Sequence, residues 1–439
     1  MSLIPVSDMI KSETIMGKYR NQDKMEKQIA VAGGGAAGMM AAIQAASAGA
    51  FVELYERNDR VGKKLLATGN GKCNFSNMDM GSHAYYGSAV SLYDKLFPVF
   101  GVQNSIDFFS QHGMLIKNKK GYLYPLSEQA ATVLDILRFT LEKYRICIHT
   151  DSKVETIMAE QDSGRLQIRT VGEDGSDRKK KSYDAVILAC GGMAAPKTGS
   201  DGNGFRIAKE LGHHITDVVP ALVQLRCREN FFKSVAGVRA EARLTLLING
   251  QKKSAVKGEL QLTDYGISGI PVFQFSREAA YALLYHKKVT VDINFLPDYE
   301  EKDYSRFWKD RWNRQAYQTL EQFLTGIANK KINQLIIRLT GCKPQDAVRD
   351  ISEEKRIRIA GLYRKLTVSV CEVNGFEHAQ VSAGGIPAEE LTEHLESRLI
   401  PHLYFAGEMI DIDGICGGYN LQWAWTSGAI AGRAAAGVL

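Results

Sequence analysis

Residues 29–56 read IAVAGGGAAGMMAAIQAASAGAFVELYE, and this stretch decides the fold. The short apolar run at its start is typical of a buried strand, and the small residues after the glycines at 33–38 predict a helix. A second strand is predicted over Phe51–Tyr55, and Glu56 follows it directly. Strand, G-x-G-x-x-G, helix, strand and acid, in that order, predict a Rossmann-like dinucleotide-binding fold.

The glycines and the acid of this stretch have separable roles. Gly33 permits the tight turn, Gly35 lets the backbone approach a pyrophosphate, and Gly38 allows the helix to pack closely on the strand. The N–H groups and positive dipole at the start of the helix favour phosphate. Glu56, 18 residues after Gly38, is placed to accept hydrogen bonds from an adenosine ribose and to repel a 2′-phosphate.

Glycine is concentrated in three separate zones. Of the 41 glycines, eight lie in 33–71, five in 191–204 and nine in 384–439, whereas 214–380 holds nine. Glycine is favoured where the backbone takes a positive φ or approaches a ligand closely. We therefore expect the two ends of the chain to hold one ligand, and the middle to meet the substrate.

Two further glycine-rich segments extend the predicted site. Residues 62–77, GKKLLATGNGKCNFSN, are placed where a flavoprotein chain passes from the ribose towards the flavin. Lys63 or Lys64 is predicted near phosphate and Cys73 near the flavin, with a solvated loop and a merely packed cysteine as alternatives. A buried strand at 183–188 leads into Gly191 and the GSDGNG turn at 199–204, either a ligand-binding sheet edge or a connector between domains.

The tail repeats the pattern of strand, turn and helix. A buried strand is predicted over 403–406, followed by GEMIDIDG at 407–414, GGYNLQ at 417–422 and a helix. The start of that helix is predicted to face the flavin N1–C2=O edge, where positive potential stabilises the reduced flavin. Asp411 or Asp413 is placed to bind a ribityl hydroxyl. The chain contains no second GxGxxG, which argues against a dedicated Rossmann domain for nicotinamide.

The middle of the chain has a different character. Residues 164–171 and 182–188 predict a hairpin whose turn carries RKKK at 178–181, interpreted as a solvated face. Val154, just before this hairpin, is placed to bind adenine through its backbone. Alternating residues over 214–298 and 366–383 predict antiparallel strands, and 300–340 predicts helices. The four-residue spacing of Tyr304, Trp308 and Trp312 predicts one aromatic face, interpreted as core rather than as a substrate wall.

Charge and cysteine usage exclude several classes. The 55 Lys and Arg against 49 Asp and Glu give a net charge of +6, thinly spread over 439 residues, which offers no reason to predict nucleic acid or a membrane as a partner. The seven cysteines are scattered without a C-x-x-C pair, so neither a disulfide framework nor a metal site is predicted, and a cytoplasmic location fits. Residues 1–27 are interpreted as a polar extension without a signal-peptide core.

Five motifs together resemble the BaiN/YhiN-like flavoprotein family of NAD(P)/FAD-dependent oxidoreductases. They are GGGAAG at 33–38, GKKLLATGNGKCNFSN at 62–77, TDYGISG at 263–269, VSAGGI at 381–386 and GEMIDIDGICGGYNLQWAWTSG at 407–428. The family pattern usually has arginine at the positions of Lys63 and Lys72. Both positions remain basic here, so the departure weakens only an expectation of bidentate phosphate contacts.

The resemblance implies an α/β fold in which a Rossmann-like FAD-binding domain, 28–213 with 380–439, is interrupted by a β-rich domain, 214–298 with 346–379. A small helical domain, 299–345, interrupts the β-rich domain in turn. The resemblance also implies FAD as cofactor, and one activity named in the family is reduction of a conjugated double bond in 3-oxo bile acid intermediates. The candidate cofactor-binding residues are Gly33, Gly35, Ala36, Ala37, Gly38, Glu56, Arg57, Lys63, Lys64, Gly71, Cys73, Asn74, Val154, Gly191, Gly407, Glu408, Asp411, Gly418, Tyr419, Asn420 and Leu421.

The sequence therefore predicts an FAD-dependent oxidoreductase that passes hydride from NAD(P)H, with NADH favoured, to an enone-type double bond of a small hydrophobic substrate. Tyr419 is the candidate polar group of the catalytic site, and packing against the turn is its alternative role. A flavin oxidase acting on an amine or alcohol with O2, and a non-catalytic redox-responsive flavin module, are the alternatives. The oligomeric state stays open.

Overall fold

The computed structural model describes residues 26–172 and 174–439, so residues 1–25 of the predicted extension lie outside the described part of the chain. The described residues form two compact units, which we call unit 1 (within 1–218 and 380–439) and unit 2 (219–379). Among the helices of these residues, none combines the length and apolar content needed to cross a bilayer.

The strands and helices follow in chain order. Up to residue 218 they are β1 (Gln28–Ala32), α1 (Ala36–Ser47), β2 (Phe51–Tyr55), α2 (Lys63–Leu66), β3 (Ser76–Asn77), β4 (Tyr85–Tyr86), α3 (Tyr93–Leu96), α4 (Val102–Gln111), β5 (Ile116–Lys119), β6 (Tyr122–Pro125), α5 (Ala130–Lys143), β7 (Cys147–His149), β8 (Lys153–Ala159), β9 (Leu166–Val171), β10 (Asp177–Tyr183), β11 (Ala185–Leu188) and α6 (Asn203–Glu210). Unit 2 contains β12 (Val219–Ala221), β13 (Leu225–Cys227), α7 (Phe232–Val235), β14 (Arg239–Ile248), β15 (Gln251–Leu262), β16 (Gly266–Ser268), α8 (Ile270–Leu284), β17 (Val289–Asn294), α9 (Glu301–Arg314), α10 (Leu320–Leu324), α11 (Lys330–Leu339), α12 (Glu353–Arg364) and β18 (Leu366–Val373). The tail adds β19 (Val381–Ala383), β20 (Leu403–Phe405), β21 (Asp413–Gly414) and α13 (Tyr419–Ala436).

A five-stranded parallel sheet in the order β20–β11–β1–β2–β7 lies at the centre of unit 1. The central strand β1 is apolar on both faces, and the residues from Ile29 to Ala32 are at most 1% exposed. Continuous burial of this kind is expected where a parallel sheet is covered on both sides. The predicted order of strand, glycine turn, helix and strand is confirmed, and with it the Rossmann-like α/β fold.

A buried carboxylate on β2 connects the parallel sheet to the antiparallel sheet β10–β9–β8. The Glu53 side chain is 3% exposed. It accepts hydrogen bonds from the ammonium groups of Lys179 and Lys181 at 2.6 Å each, from the Tyr183 hydroxyl at 2.5 Å and from His149 Nε2 at 2.9 Å. Burial alone raises the pKa of Glu53, but these donors outweigh burial and lower that pKa far below its usual range.

This cluster corrects the interpretation of the basic run 178–181. We expected a solvated turn, but residues 177–183 form strand β10, which pairs with β9. Lys179 and Lys181 point to one side of that strand because side chains alternate along it, and that side faces Glu53. The predicted hairpin partner at 182–188 is also wrong in part, since β11 belongs to the parallel sheet.

Unit 2 is built on a closed barrel in the order β13–β16–β15–β14–β17–β18. Tyr304, Trp308 and Trp312 are 6%, 4% and 8% exposed and pack in the core of this unit, which confirms their interpretation as core residues. A further helix, α12, ends at Arg364 and lies in the segment 346–379 that was predicted as part of the β-rich domain. Ser352, whose hydroxyl accepts from the Lys355 N–H, caps α12 and was the overlooked sign of this helix.

Helix α13 packs along α1 through glycine. A Cβ atom at Gly428 would lie 2.4 Å from the carbonyl oxygen of Ala37, and one at Gly432 would lie 2.3 Å from that of Ala41. Both distances are far below van der Waals contact, so only glycine allows the two backbones to approach this closely. The end of the chain thus supplies a helix that packs against the first helix of the fingerprint.

Candidate cofactor site

The three fingerprint glycines are required for different reasons. Gly33 has φ +105°, and a Cβ there would lie 2.4 Å from the carbonyl oxygen of Ala189. A Cβ at Gly38 would lie 1.8 Å from the carbonyl oxygen of Gly33. By contrast, a Cβ at Gly35 would meet no atom within 4 Å. Packing within the protein explains Gly33 and Gly38, whereas Gly35 opens onto free space at the uncapped start of α1.

Glu56 lies directly after β2 and is held firmly. Its Oε2 accepts from the N–H of Gly34 at 2.9 Å, and its Oε1 accepts from the N–H and Nδ2 of Asn58 at 2.8 and 2.7 Å. Asn58 Nδ2 also donates to the carbonyl oxygen of Thr198 at 3.0 Å. Asn58 was missed by sequence reasoning, because an asparagine two residues after the acid has no motif of its own.

The basic residues predicted near phosphate are paired with carboxylates. Lys63 Nζ lies 2.7 Å from an Asp59 oxygen, and Lys64 Nζ lies 2.6 Å from Glu408 Oε2. Glu408 Oε1 accepts from the Ser382 N–H at 3.2 Å. Arg57 likewise forms an ion pair with Asp201, a residue of the turn that follows Gly191. The structure therefore pairs three basic candidate residues, Arg57, Lys63 and Lys64, with carboxylates.

The loop from Gly71 to Asn74 contains two residues with positive φ. Gly71 has φ +82° and is exposed, and Cys73 has φ +53° and is fully buried. Burial raises the pKa of the Cys73 thiol to about 12, so the thiol stays protonated at neutral pH. Asn74 Oδ1 is buried and has no hydrogen-bond partner among the described residues. Buried polar atoms are nearly always bonded, so this oxygen is a candidate to accept a hydrogen bond from a ligand.

The start of α13 forms a second uncapped helix N-terminus. Gly418, with φ +96°, is its N-cap and offers no side chain. Asn420 instead braces the preceding turn, accepting from the N–H of Gly414 and donating to its carbonyl oxygen, both at 2.8 Å. Leu421 is partly buried against the core of unit 1. The first-turn N–H groups of α13 are therefore free of side-chain caps.

Tyr419 is placed as a packing residue. It is 5% exposed, its hydroxyl donates to the carbonyl oxygen of Asp79 at 3.0 Å, and its ring meets that of Tyr85 edge to face. Burial raises the pKa of its hydroxyl. With its proton committed to Asp79, Tyr419 fits the alternative role, packing against the turn, better than the candidate catalytic role.

The remaining candidate residues are buried or form hydrogen bonds within the protein. Asp411 is 6% exposed, and its Oδ2 accepts from the Ser88 N–H at 2.9 Å. The Val154 carbonyl oxygen accepts from Asn203 Nδ2 at 2.9 Å, which leaves it less available to adenine than expected. The Gly407 N–H donates to Ser427 Oγ at 2.9 Å, and Gly407 has φ +69°. Asp413 is 3% exposed on β21.

One group in the described chain has metal-ligand chemistry outside this site. One ligand atom from each of Glu53, Cys147 and His149 lies within 4.8 Å of the other two. However, Glu53 already accepts from two lysine ammonium groups, whose positive charge opposes a cation. We assign no metal to this group.

The residues present fit FAD. The open space at Gly35, the unpartnered oxygen of Asn74 and the two uncapped helix N-termini all belong to unit 1. Together they offer donors to phosphate and to a carbonyl-rich ring, and an acceptor for a ring N–H group.

Comparison with known proteins identifies the family of this chain. The family model described as HI0933-like protein Rossmann domain matches residues 27–434. A 3-dehydro-bile acid delta(4,6)-reductase from Clostridium scindens is 38% identical over 415 residues, covering 93% of this chain and 99% of that protein. A ribosomal RNA dihydrouridine synthase from Escherichia coli is 26% identical over 401 residues, covering 90% of this chain and 95% of that protein. The solved 3-ketosteroid-delta4-(5alpha)-dehydrogenase from Rhodococcus jostii RHA1 is 17% identical, with a TM-score of 0.46, covering 95% of this chain and 98% of that one.

Proposed function

We propose that this protein reduces a carbon–carbon double bond conjugated to a carbonyl group. The premise is that the chain belongs to the HI0933-like Rossmann-domain family and is a flavin-dependent oxidoreductase. The substrate we propose is a small, largely apolar enone such as a 3-oxo steroid or bile acid. The bile acid reductase, similar along almost the whole chain, supports this substrate class. The observation that carries the proposal is this similarity, 38% identity over 93% of the chain. The open space at Gly35 supports its cofactor part, because no packing within the protein requires glycine there.

The chain's own residues divide the work of holding FAD. We propose that the start of α1 with Gly35 binds the pyrophosphate, and that Glu56 binds the adenosine ribose through the lone pairs left by Gly34 and Asn58. The start of α13 orients the flavin ring by donating to its carbonyl edge. When bound, FAD supplies the acceptance and donation of hydride. NADH is the proposed electron donor. Because the sequence has no second dinucleotide fingerprint, we propose that NADH binds transiently at the flavin rather than in a domain of its own.

A second candidate substrate is a uracil base in RNA. The uracil C5=C6 bond is also conjugated to a carbonyl, and the Escherichia coli relative is named for ribosomal RNA. The observation that favours this candidate is the distribution of charge: residues 219–379 hold 26 Lys and Arg against 18 Asp and Glu, a net charge of +8 that exceeds the +6 of the whole chain. Positive charge concentrated in one unit favours a polyanion, contrary to our expectation from net charge alone.

An anaerobic titration of the purified holoprotein distinguishes these candidates. We expect NADH to bleach the flavin absorbance, and a 3-oxo-Δ4 steroid to restore it. Restoration by unmodified ribosomal RNA instead, with a rate that falls steeply with salt, would favour the second candidate. Bleaching by an amine or alcohol but not by NADH or NADPH would favour the oxidase. A protein that takes up no FAD would contradict the whole proposal.

We also propose that the protein is located in the cytoplasm. The seven cysteines are all free thiols, as expected for a protein of the reducing cytoplasm.

A further inference from the structure

Two candidate residues of the site, Arg57 and Asn74, have a buried polar atom without a hydrogen-bond partner in the described protein, and that of Arg57 forms an ion pair with Asp201. The side-chain oxygen of Asn74 is buried, yet it has no hydrogen-bond partner in the described protein. The side-chain oxygens of Asn58 and Asn420, in the same site, both accept hydrogen bonds, from Lys63 Nζ and from the Gly414 N–H. An acceptor buried without a partner is disfavoured, so the structure provides a reason to look for a ligand donor at this point.

The position of this oxygen relative to α13 is well defined. A Cβ atom on Gly418 would lie 3.0 Å from Asn74 Oδ1, so the oxygen sits against the N-cap of the helix. The first main-chain bond of α13 runs from the Gln422 N–H to the Gly418 carbonyl oxygen at 3.0 Å. The N–H groups of the preceding first turn have no side-chain cap. One unpartnered acceptor thus lies next to a group of uncapped donors.

Two hydrogen bonds hold the loop of Asn74 to this helix. The Ser76 hydroxyl donates to Gln422 Oε1 at 2.7 Å, and Asn77 Nδ2 donates to the carbonyl oxygen of Gly417 at 2.9 Å. Ser76 and Gln422 are fully buried, so the first of these bonds is shielded from water. These bonds hold the backbone that follows Asn74 beside the start of α13.

This arrangement matches one edge of the flavin ring. The pyrimidine part of flavin presents a C2=O acceptor directly beside N3–H, the ring's one N–H donor when oxidised. We infer that Asn74 Oδ1 accepts a hydrogen bond from the flavin N3–H, while the first turn of α13 donates to the adjacent C2=O. The inference rests on the flavin assignment made under the proposed function. It makes Asn74 the residue that selects the rotational placement of the ring, because turning the ring over would put a carbonyl oxygen against Oδ1.

The test compares FAD with 3-methyl-FAD, which lacks the N3–H donor, by titrating apoprotein and following flavin fluorescence. We expect wild-type protein to bind FAD about tenfold more tightly than 3-methyl-FAD. Asn74→Ala removes the acceptor and leaves room for the methyl group, so it loses about tenfold in FAD affinity and loses the preference. Asn74→Asp keeps the acceptor and the preference. Asn70→Gly, an exposed asparagine of the same loop with φ +53°, is the matched control and behaves as wild type.

A pH titration of the flavin bound to wild type and to Asn74→Ala separates hydrogen bonding from steric exclusion of the methyl group, because it uses unmodified FAD. A neutral acceptor on N3–H resists loss of that proton, so the absorbance change of N3 ionisation moves to higher pH than in free FAD. Asn74→Ala returns it towards the free value. Equal binding of the two flavins by wild type, or an unshifted N3 ionisation, overturns the inference while leaving flavin binding intact. Failure of the wild-type apoprotein to take up FAD would instead overturn the proposed function.

Discussion

Replacing Glu53 with glutamine tests the buried charge cluster of unit 1. The substitution keeps the shape of the side chain but removes the charge that holds Lys179 and Lys181. Breaking a buried ion pair by removing one partner costs about 3–5 kcal/mol. Each lysine side chain is 32% exposed and can turn towards water, so we expect the lower end, about 3 kcal/mol.

Hydrogen exchange measured by mass spectrometry reports this loss of stability for individual peptides. A decrease of about 3 kcal/mol in the free energy of opening raises the exchange rate about 150-fold. We expect that increase in the peptides of β2 and β10. Glu393→Gln is the matched control in the same unit, because Glu393 pairs with Lys95 at the surface, where both side chains are more than half exposed. Such a pair contributes at most about 1 kcal/mol.

The stabilisation by Glu53 also depends on pH in a defined way. The pKa of Glu53 is lowered from 4.5 in the folded protein, so its stabilisation is complete above pH 4.5 and is lost as the pH falls through the folded pKa. The difference between wild type and Glu53→Gln should therefore narrow below pH 4.5. Equal exchange in Glu53→Gln and Glu393→Gln at pH 7 would refute the assignment of a stabilising role to the cluster.

Two further predictions concern glycine. Gly35→Val should abolish FAD uptake yet lower the free energy of unfolding of apoprotein by no more than about 1 kcal/mol, since no protein atom lies near its Cβ and the remaining cost is that of valine at the N-cap of α1; a destabilisation large enough to explain the lost uptake would show that packing, not ligand, requires this glycine. Gly432→Ala and Gly361→Ala make the same change in two helices with opposite results. The first should destabilise because its Cβ would lie 2.3 Å from the Ala41 carbonyl oxygen, whereas the second, with nothing within 4 Å, should stabilise by about 0.5–1 kcal/mol; urea denaturation of both variants checks the signs.

Local signals made much of unit 1 predictable. The fingerprint around Gly33 and Gly38 follows from sterics over a few residues, and the structure contains the clashes that demand glycine there. The hydrogen bond of Tyr419 was harder to predict from the sequence, because the carbonyl oxygen of Asp79 that accepts from its hydroxyl lies 340 residues away in the chain. Sequence places such a residue on an element, but it does not show which atom its side chain meets.

The contacts of the basic run 178–181 were also not predictable from the sequence. A run such as 178–181 is usually solvated, and nothing nearby in the chain indicates otherwise. Its partner Glu53 lies 126 residues from Lys179. Because the pairing depends on how two sheets meet, only the folded structure reveals that Lys179 and Lys181 face a buried carboxylate. The unpartnered oxygen of Asn74 is hidden for the same reason, since burial is a property of the fold.

The packing of α13 on α1 has a consequence for how the protein is made. The ribosome releases β1 and α1 first, but β20 and α13 emerge last, after the whole of unit 2. Unit 2 is complete once residue 379 has emerged, whereas the sheet and helices of unit 1 are complete only after α13 has been synthesised. If FAD binds at the starts of both α1 and α13, as proposed, it binds only after the residues of α13 have been added. We therefore expect a chain truncated before residue 419 to take up no FAD, although its fingerprint is intact.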